Sequence, residues 1–129
     1  MEGAQKQRLG KEGEKFAVEF LQGKGYKILE RNYRCRLGEI DIIAKEAEVL
    51  CFIEVKTRTQ DTYGRPYEAV NKAKQNKIGR IALMYLKENG LSDIDLRFDV
   101  ASVFIDQSKR CHEIELIRDA FSITEKYYF

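Results

Sequence analysis

The chain has 129 residues, of which 43% are hydrophobic and 34% are charged, and this length predicts a single domain over residues 1–129 with a real core. The formal net charge of +2 does not by itself mark a nucleic-acid-binding protein, so the distribution of charge along the chain must be considered. One histidine excludes multi-histidine zinc sites, and no apolar run is long enough to span a membrane. Three cysteines without metal-type spacing and a polar N-terminus favour a reducing, cytoplasmic location.

The first predicted element is a helix over residues 9–23, whose apolar residues recur at helical spacing. Gly10 and Gly13 lie in its first turns, where each glycine costs about 1 kcal/mol relative to alanine. Close approach of another backbone or a ligand would explain that cost. Glu14 beside them is either a solvated acid of the helix face or an extra acid of an active site. The segment Gly23-Lys24-Gly25 ends the helix.

Three strands are predicted next, from runs rich in Ile, Val and Phe. The first covers residues 26–33, the second Gly38–Ala44 and the third Val49–Arg58. The short polar spacer Lys45–Glu48 predicts that the second and third strands form a hairpin.

A cluster of chemically informative side chains is predicted at the end of this hairpin. Glu54 and Lys56 point to one face of the third strand, and Asp41 comes from the neighbouring strand. Charged groups are costly in an apolar strand unless they are paired or bind a metal. Carboxylates suit Mg²⁺ or Mn²⁺, which polarise phosphoryl oxygens, and Lys56 would neutralise charge on the phosphorus. A surface Glu–Lys pair on a half-exposed strand is the alternative interpretation of Glu54 and Lys56.

Basic residues concentrate in two regions. The segment around the first strand includes Arg34 and Arg36 and is interleaved with tyrosines, which suits a phosphate backbone but equally a solvated strand edge. From Ala69 to Lys87 there are five basic residues and no acid. The candidates for contacts with nucleic acid are Arg34, Arg36, Arg58, Lys74, Gln75 and Lys77.

The second half of the chain begins with a polar loop over residues 59–66. A second helix is predicted from Tyr67 to Asn89, with Pro66 in a position that suits its first turn. Lys74 and Lys77 fall inside the apolar stripe of this helix, so each must either reach back to solvent or meet an anion.

Two further strands are predicted, over Ile94–Ile105 and Glu113–Arg118, with Arg97 and Asp99 on one face of the first of them. The aromatic tail Tyr127–Phe129 would dock on the body of the protein or form a self-association patch.

The element order is helix, three strands, helix, two strands, with an acid on one strand of the central hairpin and an acid-x-lysine triplet on the other. The chain thereby resembles the restriction-endonuclease-like PD-(D/E)XK nuclease superfamily and, more closely, the YraN-like family of small bacterial endonuclease-like proteins. The segments that carry the resemblance include Gly10-Lys-Glu-Gly13-Glu14, Arg31-Asn32-Tyr33, Gly38-Glu39-Ile40-Asp41, Phe52-Ile53-Glu54-Val55-Lys56-Thr57-Arg58, Lys74-Gln75 and Arg97-Phe98-Asp99-Val100.

The resemblance implies an α/β fold with a mixed five-stranded sheet flanked by helices in the order αβββαββ. It implies that Asp41 and Glu54 are metal ligands, that Lys56 is the catalytic lysine and that Glu14 is a supporting acid. Ile40 stands where the superfamily usually has a proline, a common departure that leaves the carboxylate geometry intact. The family is also similar to Holliday-junction resolvases, which need two active sites and would therefore act as homodimers.

Three functions follow from these features. The leading hypothesis is a Mg²⁺- or Mn²⁺-dependent endonuclease acting on DNA rather than RNA, with branched or junction DNA among its candidate substrates. The second is a non-catalytic nucleic-acid-binding module on a nuclease fold, and the third is a protein-interaction domain anchored by the aromatic tail.

Overall fold

The computed structural model of the protein describes residues 2–60, 70–106, 108 and 111–122, apart from the side chains of residues 2, 4–6 and 111. Most of the predicted polar loop, the predicted start of the second helix at Tyr67 and the aromatic tail Tyr127–Phe129 lie outside the described residues. Neither helix in the described part of the chain is long and apolar enough to cross a membrane.

Two helices and five strands make up the described fold. In chain order they are α1 (Glu2–Gly23), β1 (Lys27–Cys35), β2 (Gly38–Glu46), β3 (Val49–Arg58), α2 (Lys72–Glu88), β4 (Asp95–Asp106) and β5 (Cys111–Phe121). The strands form one sheet in the spatial order β1-β2-β3-β4-β5, in which only the β3–β4 pair is parallel. The predicted α/β class, the order αβββαββ and the mixed five-stranded sheet are confirmed, and they are consistent with a restriction-endonuclease-like core.

The predicted start of α1 at residue 9 is wrong, because the helix already begins at Glu2. Residues 2–8 carry no apolar stripe, so periodicity could not detect them, although Ala, Gln, Lys and Arg favour helix intrinsically. The predicted end of the helix is confirmed. Gly25 adopts a φ of 94°, which suits glycine, and the amide of Tyr26 donates to the carbonyl oxygen of Leu21.

The start of α2 also differs from the prediction. Asn71 has an extended backbone, and its side chain accepts a hydrogen bond from the amide of Lys74 at 2.9 Å. This N-cap makes Lys72 the first helical residue. The apolar periodicity that suggested an earlier start continues through Val70, which is buried but precedes the helix.

The other boundaries shift by a few residues, mostly because strand pairing continues beyond the apolar runs. β5 extends on both sides of the predicted Glu113–Arg118, and its pairing with β4 runs from Asp106–Cys111 to Phe98–Phe121. The chain between β2 and β3 is a turn of only two residues, Ala47 and Glu48.

The sheet has an apolar core on each face, and each core is covered by one helix. On one face, α1 packs Ala17, Val18 and Leu21 against the sheet. On the other, α2 packs a second cluster that includes Ile78 and Ile81. Parallel strands need a crossover connection, and α2 lies between β3 and β4 in the sequence. The crossover therefore holds α2 over the face to which Glu54 and Lys56 belong.

A buried carboxylate on the α1 face ties several elements together. Asp99 is 0% exposed and accepts two hydrogen bonds from Arg97 at 2.9 Å. It also accepts bonds from the hydroxyl of Tyr26 and the amide of Asp119, while Arg97 forms an ion pair with Glu46 at 2.8 Å. The predicted placement of Arg97 and Asp99 on one face is confirmed, and their pairing satisfies a charge that would otherwise be costly to bury.

Gly13 lies where α1 packs against Thr57 of β3. A Cβ atom added at Gly13 would lie 1.9 Å from the side-chain oxygen of Thr57, a separation that real atoms do not tolerate. A Cβ at Gly10 would meet none of the described atoms within 4 Å. Close approach of the helix backbone to the Thr57 side chain therefore explains Gly13, whereas no described neighbour explains Gly10.

We expect Gly13→Ala to lower the free energy of unfolding by about 1–3 kcal/mol, because the helix must move away from β3. Gly10→Ala is the matched control in the same helix. It should raise the stability by about 0.5–1 kcal/mol, since alanine is the better helix former and the site is open. Urea denaturation of both variants measures this, and equal effects of the two substitutions would contradict the proposed contact.

Candidate active site

The two strands of the central hairpin separate at the position of Asp41. Their ladder runs from Glu46–Val49 to Ile42–Ile53. Just beyond its last pair, the carboxylate oxygen Oδ2 of Asp41 accepts a hydrogen bond from the backbone amide of Val55 at 2.8 Å. The Asp41 carboxylate thus accepts a hydrogen bond from a backbone amide that would pair with β2 if the ladder continued. This bond holds the Asp41 side chain against β3 beside Glu54.

A cavity of about 440 Å³ opens at this point, between the N-terminal half of α2 and the ends of β2 and β3. Five of the predicted site residues line it together, namely Asp41, Glu54, Lys56, Lys74 and Lys77. The other described residues that line it are Gly38, Glu39, Val55, Ile78 and Ile81.

Lys74 and Glu54 form the shortest ion pair of the cavity. The Nζ atom of Lys74 lies 2.6 Å from Oε2 of Glu54, whose side chain is only 11% exposed. The backbone of Lys74 is fixed by the Asn71 cap, so α2 delivers this ammonium group to the end of β3 from a defined position. The interpretation of Lys74 as a residue that meets an anion on the sheet, rather than one that only reaches solvent, agrees with this contact.

Burial and the proximity of like charges shift the pKa values of ionisable groups in the cavity. Burial, followed by the negative charge of Glu54, raises the pKa of Asp41 from 3.8 to about 7, against the opposing effect of the Val55 amide. Burial and the nearby ammonium of Lys74 lower the pKa of Lys56. Burial also acts to lower the pKa of Lys74, but the hydrogen bond and charge of Glu54 outweigh it and raise that pKa.

Glu14 lies on α1 and is partly buried. Its negative charge contributes to raising the pKa of Asp41, after burial and the charge of Glu54. Its electrostatic influence therefore reaches the cluster from α1, while the described residues that line the cavity belong to β2, β3 and α2.

Two features of the cavity wall were not predicted from the sequence. Glu39 lines the cavity together with Asp41. Ile40 and Ile43 pack in one core and Ile42 in the other, so strand alternation is broken beside Asp41 and could not predict the position of Glu39. Gly38 has a φ of 143°, and a Cβ there would lie 2.9 Å from Cε of Lys77. Glycine therefore leaves room for the Lys77 side chain across the start of β2, a long-range contact that no sequence pattern indicated.

The remaining candidates lie around the cavity rather than in its wall. Arg34 forms an exposed ion pair with Glu39 at 3.0 Å, and Arg36 is exposed in the turn before β2. The side chain of Gln75 donates to the carbonyl oxygen of Val70 at 3.0 Å, which stabilises the start of α2. Arg58 is partly buried at the end of β3. The predicted contacts of these four residues with nucleic acid stay predictions.

A second cavity, of about 650 Å³, lies near the C-terminal end of α2. Its lining is mostly apolar, with Leu83, Leu86 and Leu91 among its residues, and it lacks the acid–acid–lysine set. The smaller, polar cavity is therefore the candidate active site.

The donor set of the polar cavity fits a hard divalent cation held by few protein ligands. Within the described ranges, no group of three or more His, Cys, Asp or Glu side chains is arranged so that it could hold a metal ion. Mg²⁺ is commonly bound by only one or two carboxylates, with water and substrate phosphates completing its shell. Asp41 and Glu54 supply such a pair, and the pKa of Asp41 is raised by burial first and then by the charge of Glu54, which a cation would offset.

The raised pKa of Asp41 predicts a pH-dependent stability. Between pH 3.8 and about 7 the folded protein retains a proton that the unfolded chain has lost, so the free energy of unfolding falls as the pH rises through this window. The slope for one group is at most about 1.4 kcal/mol per pH unit. We expect Asp41→Asn to show a shallower decline, because asparagine does not titrate.

Urea denaturation from pH 4 to pH 8 measures this difference. Glu48→Gln is the matched control, since the side chain of Glu48 is 93% exposed in the hairpin turn. Identical slopes for the parent and for Asp41→Asn would contradict the raised pKa of Asp41 in the folded protein.

Residues 13–103 match the family described as "Uncharacterised protein family UPF0102". The chain is 52% identical over 117 residues to a UPF0102 protein of Desulforapulum autotrophicum, covering 91% of this chain and 95% of that one. It is 48% identical to a UPF0102 protein of Alkaliphilus metalliredigens, with 82% of this chain and 93% of that one covered. It is 46% identical to one of Moorella thermoacetica, with 90% and 97% covered. The chain therefore belongs to the UPF0102 family, the YraN-like proteins that the sequence motifs had indicated.

Proposed function

We propose that the protein is a metal-dependent endonuclease that hydrolyses phosphodiester bonds of DNA. The observation that carries the proposal is the convergence of Asp41, Glu54 and Lys56 on one cavity at the end of the sheet. Two acids and a lysine crowded in this way are costly for stability alone, since apolar residues of similar size would serve a sheet as well. Such costs are typical of functional sites.

Each residue of the cluster has a chemical role in this proposal. Asp41 and Glu54 would hold Mg²⁺ or Mn²⁺, which when bound polarises a phosphoryl oxygen. The Val55 amide fixes the Asp41 carboxylate in position. Nζ of Lys56 would neutralise the charge that develops on the phosphate, and its lowered pKa makes this ammonium group a better proton donor. Glu14 would act as a positioning acid through its charge on Asp41.

The surface around the cavity suits a nucleic-acid backbone. Lys72, Lys77 and Arg80 of α2 are exposed, and the described part of this helix has no acid until Glu88. Arg34 lies next to the cavity through its pair with Glu39. Clustered cations of this kind bind phosphates and make binding salt-dependent. Branched DNA remains a candidate substrate, and a homodimer would supply the two active sites needed to resolve a junction.

We expect purified protein to cleave at least one member of a labelled panel of linear duplex, single strand, flap and four-way junction. Cleavage should require Mg²⁺ or Mn²⁺ and stop with chelator. Glu54→Gln and Lys56→Met should each lower the rate by about a hundredfold or more, which is typical for loss of one group that stabilises the transition state. Gel analysis under single-turnover conditions measures the rates.

Glu48→Gln is the control for a carboxylate lost elsewhere on the same hairpin, and it should cleave like the parent. Cleavage by Glu54→Gln at the parental rate would falsify the assignment of the site.

The charged residues of α2 are all basic from Lys72 to Lys87, which also supports a second candidate, a nucleic-acid-binding module without catalysis. Its signature in the same panel is salt-sensitive binding with no cleavage in any metal. Under that outcome Lys56→Met would bind DNA about as well as the parent, because the basic face of α2 would suffice.

A further inference from the structure

The cavity contains more lysine than the proposed reaction requires. Its described lining includes three lysines, Lys56, Lys74 and Lys77, and three acids, Glu39, Asp41 and Glu54. The reaction assigns a role to Lys56 and to two of the acids. Of the two lysines that α2 contributes to this lining, Lys77 lies against Gly38. Lys74 is different, because it touches one of the carboxylates that would hold the metal.

The contact between Lys74 and Glu54 occupies a metal-ligand oxygen. At 2.6 Å the ammonium group takes Oε2 of Glu54 as a charge-assisted hydrogen-bond partner. A divalent cation that uses the same carboxylate must displace this ammonium group or share the carboxylate against its repulsion. Because the Glu54 side chain is only 11% exposed, water screens that competition poorly.

The backbone of Lys74 is held in place, whereas its side chain can change conformation. Its backbone amide is held by the Asn71 cap, and the next residue, Gln75, is tied to Val70. Its side chain is 38% exposed and ends in a point charge on a flexible stem. The ammonium group can therefore leave Glu54 for the mouth of the cavity without any movement of α2.

From this geometry we infer that Lys74 is an internal counter-ion of Glu54 that exchanges partners, leaving Glu54 when a divalent cation binds and turning to a phosphate of the nucleic acid. The inference rests on the proposed function, since it requires the cation and the polyanion. It explains why the cluster can fold with two facing carboxylates before any cation arrives. It also couples cation binding to DNA binding, because each cation that binds would release one lysine for a phosphate.

The first test measures Mn²⁺ binding without DNA, from the loss of the free-ion electron paramagnetic resonance signal. Lys74→Met should bind Mn²⁺ about tenfold more tightly than the parent, on the scale of one charge-assisted hydrogen bond. Lys77→Met is the matched control, because it removes one positive charge from the same cavity wall but leaves the Lys74–Glu54 pair intact. Its affinity for Mn²⁺ should rise much less.

The outcomes of this test separate the inference from the proposed function. Equal gains for Lys74→Met and Lys77→Met would overturn the exchange, because only total charge would then matter. Mn²⁺ binding that is undetectable in the parent, or that survives in Asp41→Asn and Glu54→Gln, would overturn the metal site itself. Thermal unfolding of each variant shows whether it is folded when the titration is made.

The second test asks whether Lys74 contacts DNA when the cation is bound. Fluorescence anisotropy measures the DNA affinity of the parent and of Lys74→Met from 50 to 200 mM NaCl. With Ca²⁺ as the cation, the slope of log K against log salt should be steeper by about 0.9 for the parent than for Lys74→Met, as expected for one phosphate contact. With chelator the two slopes should coincide, because the parental Lys74 is then still paired with Glu54. Slopes that differ equally in both conditions, or in neither, would overturn the exchange.

Discussion

The crowding of two carboxylates at the end of an apolar sheet is the constraint on which the rest of the site depends. Asp41 and Glu54 come from neighbouring strands at the point where their ladder ends. With little water to screen them, both cannot stay ionised unless positive charge or hydrogen bonds compensate. The protein supplies the Val55 amide for one acid and the Lys74 ammonium for the other. The raised pKa of Asp41, to about 7, shows that this compensation is incomplete.

The topology of the sheet determines which groups can provide this compensation. Because β3 and β4 are parallel, the chain must cross over the sheet between them, and α2 lies in this crossover. Its capped N-terminus at Asn71 places Lys74 beside β3, while its apolar residues anchor it on the core. On the opposite face, Gly13 lets α1 approach β3 closely enough that the charge of Glu14 acts on Asp41.

The sequence predicted those features that depend on local patterns and missed those that depend on distant partners. Strand alternation predicted that Glu54 and Lys56 share a face, and both line the cavity with Asp41. Helical spacing predicted that Lys74 faces the sheet, but it could not identify Glu54 as its partner. The early start of α1 was missed because its first turns are polar, and the late start of α2 was missed because the cap at Asn71 interrupts an apolar pattern that continues through Val70.

The described cations in the cavity wall are lysines rather than arginines, which suits the exchange of partners that we propose for Lys74. The Arg97–Asp99 pair on the other face shows how this fold buries charge permanently, with a bidentate guanidinium and a fully buried carboxylate. The planar guanidinium group donates two parallel hydrogen bonds and so holds such a pair in one geometry. The cavity instead presents ammonium groups on flexible stems, one of them 38% exposed. The same chain thus pairs Asp99 with a rigid guanidinium and Glu54 with a flexible ammonium group, and only the second arrangement would release its carboxylate to the cation that we propose.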